Sequence, residues 1–335
     1  MKKKKFSFKI ILFINLLFLT LQFLAMESFN FGLELPLLTL GTPLLCFVNG
    51  LFFVYWFLRF KWPTLIFFVA FALSFDSWQL LYQFKSQAIN TSKGLNVMSF
   101  NVRSFNRYGW LANKQVPKSI EAFIQTISPD VVCFQEFTED LSPQFKEYPY
   151  KAFKPYISKG HIGSCIISKY PLLNSKNISF DASSNGGMQS DLIWQRDTLR
   201  LYNIHFESLR INSKDTLFSS EYSKKFTSKL KRVFELQKNQ MTQLKALFYS
   251  NRYPEIICTD LNNNAFSESY HSISKGRLDA FTEKGNGFGA TYQFPYFPLR
   301  IDYIFTSKKI KVLDFKTHNI KLSDHKPISA VLQWP

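Results

Sequence analysis

The chain has little cysteine, few acids and, over its first quarter, few polar residues of any kind. Its 335 residues include four cysteines. Cys46 lies in an apolar span. Cys133, Cys165 and Cys258 each fall in or beside an apolar run that reads as a buried strand. None has the spacing of a metal-ligand set, and three is an odd number for a disulfide framework. All read as buried thiols. Acids number 24 against 41 Lys and Arg, a net charge of +17. Residues 1–83 contribute +4 of it, with Glu27, Glu34 and Asp76 as their acids, and the remainder carries +13. A basic domain suits an anionic partner such as nucleic acid, phospholipid or another phosphate ester. The lysines are scattered and form no stripe, so general lysine richness explains the charge equally well. No internal repeat is present, and no low-complexity tract beyond Lys2–Lys5.

The mostly apolar first quarter contains three apolar stretches, near 6–25, 36–58 and 63–83. Each has about the length that crosses a hydrocarbon core as a helix. The first also reads as a signal peptide, since Lys2–Lys5 forms a positive n-region. Its apolar run is long and its cleavage site weak, and two further spans follow, so attachment to a lipid bilayer through residues 1–83 holds either way. Basic residues cluster at the N-terminus and at Arg59 and Lys61, while the Glu27–Glu34 connection has none. This predicts a multi-pass protein of the cell (inner) membrane. Its N-terminus is cytoplasmic and residues from about 84 onward are extracytoplasmic (periplasmic). Asp76 sits near the outer end of the third stretch, beside Ser77, Trp78 and Gln79, and reads as interfacial. Residues 84–94 read as a linker.

From residue 95 the pattern is that of a soluble domain. Strands are predicted at Leu95–Phe100, Asp130–Phe134, Cys165–Ser168, Thr198–Ile204, Glu255–Cys258, Ile301–Phe305 and Ile328–Leu332. Apolar residues at three- and four-residue steps predict helices over 116–127 and near 219–250. Many strands with few helices between them suggest α/β with two packed sheets and helices outside. Polar residues just past buried strands gather at one rim of a sheet. Asn101, Glu136, His205, Asp260 and Asn262 have that placement, and Asp302 and the loop 323–325 flank the last strands.

These residue types suit hydrolysis of a phosphate ester. The ester is anionic and repels hydroxide, so the reaction needs a cation, a base for water and a donor for the leaving oxygen. Magnesium favours a few carboxylates with water and substrate oxygens. Glu136 is the leading metal ligand, because an acid after a buried strand is costly unless paired or metal-bound. Asp260 suits a general base and Asn262 a donor to phosphate oxygen, although an Asx turn accounts for the same residues. Asp302 and His325 can form a carboxylate–imidazole pair that fixes the histidine tautomer.

Seven ordered segments resemble the endonuclease/exonuclease/phosphatase (DNase I-like) superfamily. They are Met-Ser-Phe-Asn-Val at 98–102, Val-Cys-Phe-Gln-Glu at 132–136 and Ile-Ser-Lys-Tyr-Pro at 167–171. Leu-Tyr-Asn-Ile-His at 201–205, Thr-Asp-Leu-Asn-Asn at 259–263, Arg-Ile-Asp-Tyr-Ile at 300–304 and Ser-Asp-His-Lys-Pro at 323–327 follow. The resemblance covers about residues 94–335, and the anchored arrangement is similar to that of bacterial members. It implies a four-layer αββα sandwich and a divalent metal, Mg2+ with Mn2+ as the alternative. Glu136 would bind it, with Asn101 and Asp324 beside it. Asp260 would orient or deprotonate water and Asn262 hold the transition state. Asp302 would orient His325, which would contact the scissile phosphate. His205 would contact phosphate or assist the leaving group. Two departures stand out. Thr259 occupies the position of a usual glycine, and Arg103 replaces an acid found in some nucleases, so it is a candidate substrate contact.

The implied function is a membrane-tethered, metal-dependent phosphoesterase acting on a lipid head group or nucleic acid. A non-catalytic scaffold on a hydrolase-like fold is the alternative. A transporter with a soluble tail is disfavoured, because the spans offer few polar groups. Specificity is expected in loops 103–116, 181–197 and 263–299. Their aromatics Tyr108, Trp110, Trp194, Tyr292, Phe294, Tyr296 and Phe297 are candidates for stacking on bases, touching lipid or packing in the core.

Overall fold

The computed structural model describes residues 2–85, 94–209, 220–292 and 299–334, without the side chains of 2–6 and 220–226. Most of the linker and the aromatics Phe294, Tyr296 and Phe297 lie outside the described residues.

Five helices come first: α1 (Lys2–Glu27), α2 (Pro36–Leu40), α3 (Thr42–Leu58), α4 (Pro63–Leu73) and α5 (Phe75–Leu81). Only the first expected span is one unbroken helix of crossing length, over Ser7–Glu27. The second is interrupted between α2 and α3. Pro43 has no N–H, so it cannot bond the Thr39 carbonyl and the ladder breaks there. The third is bent by 80° at Ser74. The Ser74 hydroxyl donates to the Ala70 carbonyl at 2.8 Å, a back-bond that bends helices. Asp76 follows in the first turn of α5 and is exposed.

The polarity of these helices is reversed from that of a water-soluble bundle. Phe13, Phe47, Leu51, Leu65 and Phe68 are exposed, while Asn15, Gln22 and Asn49 are buried. Asn49 donates to the Phe18 carbonyl (3.0 Å) and Gln22 (2.8 Å), and the Trp56 indole to Asn15 (3.0 Å).

The rest of the chain runs β1 (Gln83–Phe84), β2 (Leu95–Asn101), α6 (Val116–Ile127), β3 (Val131–Thr138), β4 (Tyr150–Pro155), β5 (Ile162–Ser168), β6 (Leu172–Ser179), β7 (Gly186–Trp194) and β8 (Asp197–His205). It continues with α7 (Ser220–Ser250), β9 (Glu255–Asp260), α8 (Glu268–Ser274), β10 (Arg277–Asp279), α9 (Ala280–Lys284), β11 (Asn286–Gly287), β12 (Asp302–Ser307), β13 (Lys311–Thr317) and β14 (Ile328–Gln333). Two six-stranded sheets form, in the orders β13-β14-β2-β3-β5-β4 and β10-β12-β9-β8-β7-β6. Each has a parallel pair at its centre, β2 with β3 and β8 with β9. α6 and α7 make the two crossovers.

Three apolar layers hold the sandwich together. Leu95, Val97, Ile166, Leu201, Ile256 and Ile304 fill the space between the sheets. Phe100, Val132 and Phe134 pack with Ile120 and Ile124 of α6 on one outer face. Tyr202, Ile257 and Phe305 pack with Met241 and Leu244 of α7 on the other. α6 forms because Pro117 opens it with a preset φ and Val116, Ile120 and Ile124 share one buried stripe. It stops at Ser128, in left-handed conformation (φ 48°) before Pro129.

The predicted strands all form, some longer than expected. β7 replaces part of the expected loop 181–197, and α8, β10 and α9 occupy part of 263–299. β7 carries Gln189, Ser190 and Asp191, which mask a strand. They are tolerated because Asp191 is paired across the sheet with Arg200 (2.6 Å) and bonded by Asn174 (2.9 Å). Gly187 is required there, since a Cβ would lie 2.6 Å from the Asn203 carbonyl oxygen. Trp194 ends the strand inside the core and is no surface stacking platform.

The apolar seam between the sheets contains a polar clamp. Gln135 of β3 donates to Asn203 of β8 (2.8 Å) and to Ser99 (3.1 Å). Asn203 donates in turn to the carbonyls of Phe134 (2.9 Å) and Cys165 (3.0 Å). Asn203→Leu strands those groups, at about 1–3 kcal/mol for each orphaned partner. Denaturant unfolding in detergent should show a loss of at least about 1–3 kcal/mol, and unchanged stability would mean that the clamp is idle.

Candidate active site

Strand register brings the predicted residues together. In one sheet Asp260 lies between two neighbours, paired with His205 of β8 on one side and Asp302 of β12 on the other. In the other sheet Asn101 of β2 is opposite Gln135 of β3, with Glu136 next in sequence. Asn101 joins the two halves. Its amide nitrogen donates to Asp260 Oδ2 (2.8 Å) and Glu136 Oε1 (3.2 Å), and its oxygen accepts from the Arg103 N–H (3.0 Å). The amide therefore faces the carboxylates with its donor end.

Backbone strain is concentrated here. Glu136 has φ 48°, where the pairing of β3 with β5 shifts register between Phe134 and Phe137. Its N–H donates to the Tyr156 hydroxyl (3.0 Å). Asn262 has φ 50°. Arg103, Ser104, Phe105 and Asn106 form a run of four left-handed residues. Left-handed backbone costs an L-residue about 1–2 kcal/mol, and strain of this kind collects at functional sites. The turn delivers Arg103 to Asp324, with Nη1 3.1 Å from Oδ2, and its guanidinium lies 4.1 Å from the centre of the Trp110 ring.

Asp302 holds His325 Nδ1 at 3.0 and 3.1 Å, leaving Nε2 3.7 Å from Asp260 Oδ2. Burial works against the imidazolium, but Asp302 and Asp260 outweigh it and raise the His325 pKa well above the usual value. His205 differs. Burial lowers its pKa, so it is neutral at pH 7. Among the described residues neither ring nitrogen has a hydrogen bond, and Nε2 is 3.5 Å from Asp260 Oδ2 and 3.8 Å from Glu136 Oε1. Burial, with Asp302 adding to it, raises Asp260 to about 6 against the opposing pull of His325. Burial also raises Glu136, against hydrogen bonding from Asn101 and the charge of His325. Asn262 has its N–H on Asp260 Oδ1 (3.0 Å) and one amide hydrogen on the Phe206 carbonyl (3.0 Å). That fixes its plane and leaves the second hydrogen for an anionic oxygen.

All nine predicted site residues therefore meet within one network. Glu136, Asp260, Asp302 and Asp324 face two cationic groups, Arg103 and His325. The carboxylates outnumber the cations, and the Glu136 side chain is one-third exposed (31%). Among the described residues, Asp260, Asp302 and His325 form a group able to hold a cation, with ligand atoms within 4.8 Å of one another. A cation bound there through His325 Nε2 would leave the Nδ1 proton on Asp302.

Two contributors, Tyr156 and Asn203, escaped the sequence reading, and a third, Tyr292, was expected only as a loop aromatic for stacking, lipid contact or core packing. Tyr156 supports Glu136 and its ring lies 5.5 Å from that of His205. No sequence signal marks it. Tyr292 packs edge-on to His325 at 5.1 Å and burial raises its hydroxyl to about 12. Asn203 was legible in principle, as a polar residue inside an apolar strand two positions before His205.

The architecture is that of a two-sheet α/β sandwich with carboxylates, carboxamides and imidazoles gathered at one rim. The model of the Endonuclease/Exonuclease/phosphatase family matches residues 98–325. The chain belongs to that family, whose members are hydrolases acting on phosphoester bonds. Among solved structures it is similar to the endonuclease/exonuclease/phosphatase from Bacteroides vulgatus, at 18% identity and TM-score 0.57, covering 73% of this chain and 100% of that one. It is similar also to a mannosyl-6-phosphatase of Bacteroides thetaiotaomicron, at 17% identity and TM-score 0.51, covering 72% and 100%. D. rerio TDP2 complexed with single strand DNA product matches at 16% identity and TM-score 0.54, covering 72% and 100%. At these identities the likeness concerns the fold alone. A sequence search of curated proteins finds no match.

The Asp260 carboxyl gives a pH prediction. Unfolded it ionises near 3.8 and folded near 6, so the folded chain binds the extra proton in that window. Its contribution to stability is present below about 4 and is lost as pH rises through about 6. With metal chelated, Asp260→Asn should raise Tm at pH 7.5 and raise it less at pH 4.5. An equal gain at both would contradict the shift.

Proposed function

We propose that the protein is a membrane-tethered, divalent-metal-dependent phosphoesterase that hydrolyses a phosphodiester or phosphomonoester by attack of water. The observation that carries this reading is the charge arrangement at the rim, four carboxylates against Arg103 and His325, with Asn101 and Asn262 among them. A bound Mg2+, or Mn2+ in its place, would neutralise phosphate charge and lower the pKa of water. Glu136 would hold it, with Asn101 and Asp324 alongside. Asp260, ionised above about pH 6, takes the proton of the attacking water or orients it. His325, kept charged by Asp302, donates to a phosphate oxygen through Nε2. Asn262 offers its second amide hydrogen to the same developing charge. Neutral His205 holds one N–H, suited to phosphate or the leaving oxygen. Arg103 is a further contact for phosphate.

Residues 1–83 are the anchor, 84–94 the linker and 95–335 the catalytic domain in this reading. The inside-out polarity of the N-terminal helices supports tethering. The first connection and the exit of the last helix both bond the catalytic domain, through Glu34 to Lys238 and the Leu80 carbonyl to Arg300. These contacts support a reading in which both lie on one side of a membrane, in keeping with the cytoplasmic N-terminus and extracytoplasmic domain expected from the charges. A neighbour named for a sugar phosphate and another bound to DNA product support phosphate esters broadly.

Full-length protein in detergent should hydrolyse bis(p-nitrophenyl) phosphate with Mg2+ or Mn2+ and lose that activity to a chelator. Asp260→Ala and His325→Ala should each lower kcat by about 10²–10⁴-fold. Full activity in a folded Asp260→Ala protein would sink the assignment of the base. A protease-accessible tag after residue 335 should be reached only from outside the cytoplasm, and access from the cytoplasmic side would reverse the topology.

A further inference from the structure

The N-terminal helices are fastened at several points to one end of the catalytic domain, and it is the end that holds the site. β8 and β9 both run toward the rim, so α7, which connects them, runs back from it. Gln237 marks the rim on that helix, donating to the carbonyls of Glu207 (2.8 Å) and Leu261 (3.4 Å), just past His205 and Asp260. The anchor touches α7 at that level and beyond. Glu34 is ion-paired with Lys238, and Leu40 packs on Leu209, Leu230 and Val233. Leu230 is seven residues before Gln237, about 10 Å farther out along the helix.

Two backbone clasps lie closer still to the chemistry. The Thr39 carbonyl, released by Pro43, accepts from the Asn264 amide at 2.7 Å, two residues past Asn262. The Leu80 carbonyl accepts from Arg300 Nη2 at 3.1 Å, two residues before Asp302. Arg300 is buried and ion-paired to Asp279 at 2.6 Å. A buried arginine carries a large desolvation cost, so it makes a stiff joint. β1 continues the fastening by pairing with β11.

Exposed aromatics lie on the same side. Tyr108 (66%) and Trp110 (42%) stand beside Arg103 at the mouth of the site. Phe29, Phe31 and Leu33 are exposed on the first connection. Trp, Tyr and Phe at such positions sit at the boundary of water and lipid.

We infer that the anchor clasps the catalytic domain with its active-site mouth toward the bilayer, so that the substrate is a phosphate ester held in the membrane surface, a lipid head group. This rests on the reading of the protein as a tethered phosphoesterase. It favours lipid over free nucleic acid because the mouth opens onto the surface where the anchor ends.

The test uses full-length protein carrying Cys46→Ser, since the other three cysteines are buried, reconstituted in phosphatidylcholine–phosphatidylglycerol vesicles. A fluorophore is placed on Tyr108→Cys at the mouth or on Tyr249→Cys, 95% exposed near the far end of α7. Spin-labelled lipid should quench the label at 108 several-fold more than the label at 249. Equal or reversed quenching overturns the orientation. The unlabelled protein is then given phospholipid in the same vesicles, single-stranded DNA, and bis(p-nitrophenyl) phosphate. Hydrolysis of vesicle phospholipid supports the inference. Hydrolysis of DNA and the chromogenic ester without phospholipid overturns it and leaves the phosphoesterase reading standing. No hydrolysis of any of the three removes the phosphoesterase reading and the lipid substrate with it.

Discussion

The hydrogen bond between Gln135 and Asn203 is the constraint on which the site depends. Two apolar sheet faces slide over one another at little cost, since hydrophobic burial is non-directional. A buried amide pair does not allow this. A shift of one residue would leave the Asn203 and Gln135 amides and the carbonyls of Phe134 and Cys165 without partners. Glu136 follows Gln135, and His205 lies two residues past Asn203. The clamp therefore sets the gap that separates Glu136 from His205, and Asn101 closes the same gap from the other side by reaching Asp260.

The site formed in this way opposes folding in several places. Carboxylates crowd together in a buried rim, where burial raises both Asp260 and Glu136. Left-handed backbone occurs at Arg103, Glu136 and Asn262. The three apolar layers and the cross-strand pairing offset these costs away from the rim. His205 and His325 show how environment divides two like residues. His325 has Asp302 against Nδ1 and stays charged, while His205 is buried without such a partner and stays neutral. One ring is thus suited to holding charge against phosphate and the other to a single N–H.

Much of this was legible before any coordinates. Most of the polar signatures follow apolar strands, the others flank the last two, and strand ends converge, so Asn101, Glu136, His205, Asp260, Asn262, Asp302 and His325 could be placed at one rim. Helices over 116–127 and 219–250 followed from spacing alone. What stayed hidden is long-range or compensated. β7 looks like a loop because Asp191 and its polar neighbours conceal the strand until Arg200 is seen opposite. Tyr156 supports Glu136 from 20 residues away, with nothing local to announce it. The pairing of Arg103 with Asp324 depends on a left-handed turn without glycine. The three expected spans differ for local reasons, Pro43 in one case and the Ser74 back-bond in another.

The central claim is that Glu136 and the groups around it hold a divalent cation where a phosphate meets His325 and Asn262. Anomalous diffraction from crystals of the full-length protein soaked with Mn2+ and inorganic phosphate tests it directly. The account predicts a manganese peak in coordination contact with the Glu136 carboxylate, and a phosphate within hydrogen-bond reach of His325 Nε2 and the Asn262 amide. Manganese bound away from Glu136, or phosphate seated without His325 and Asn262, would contradict it.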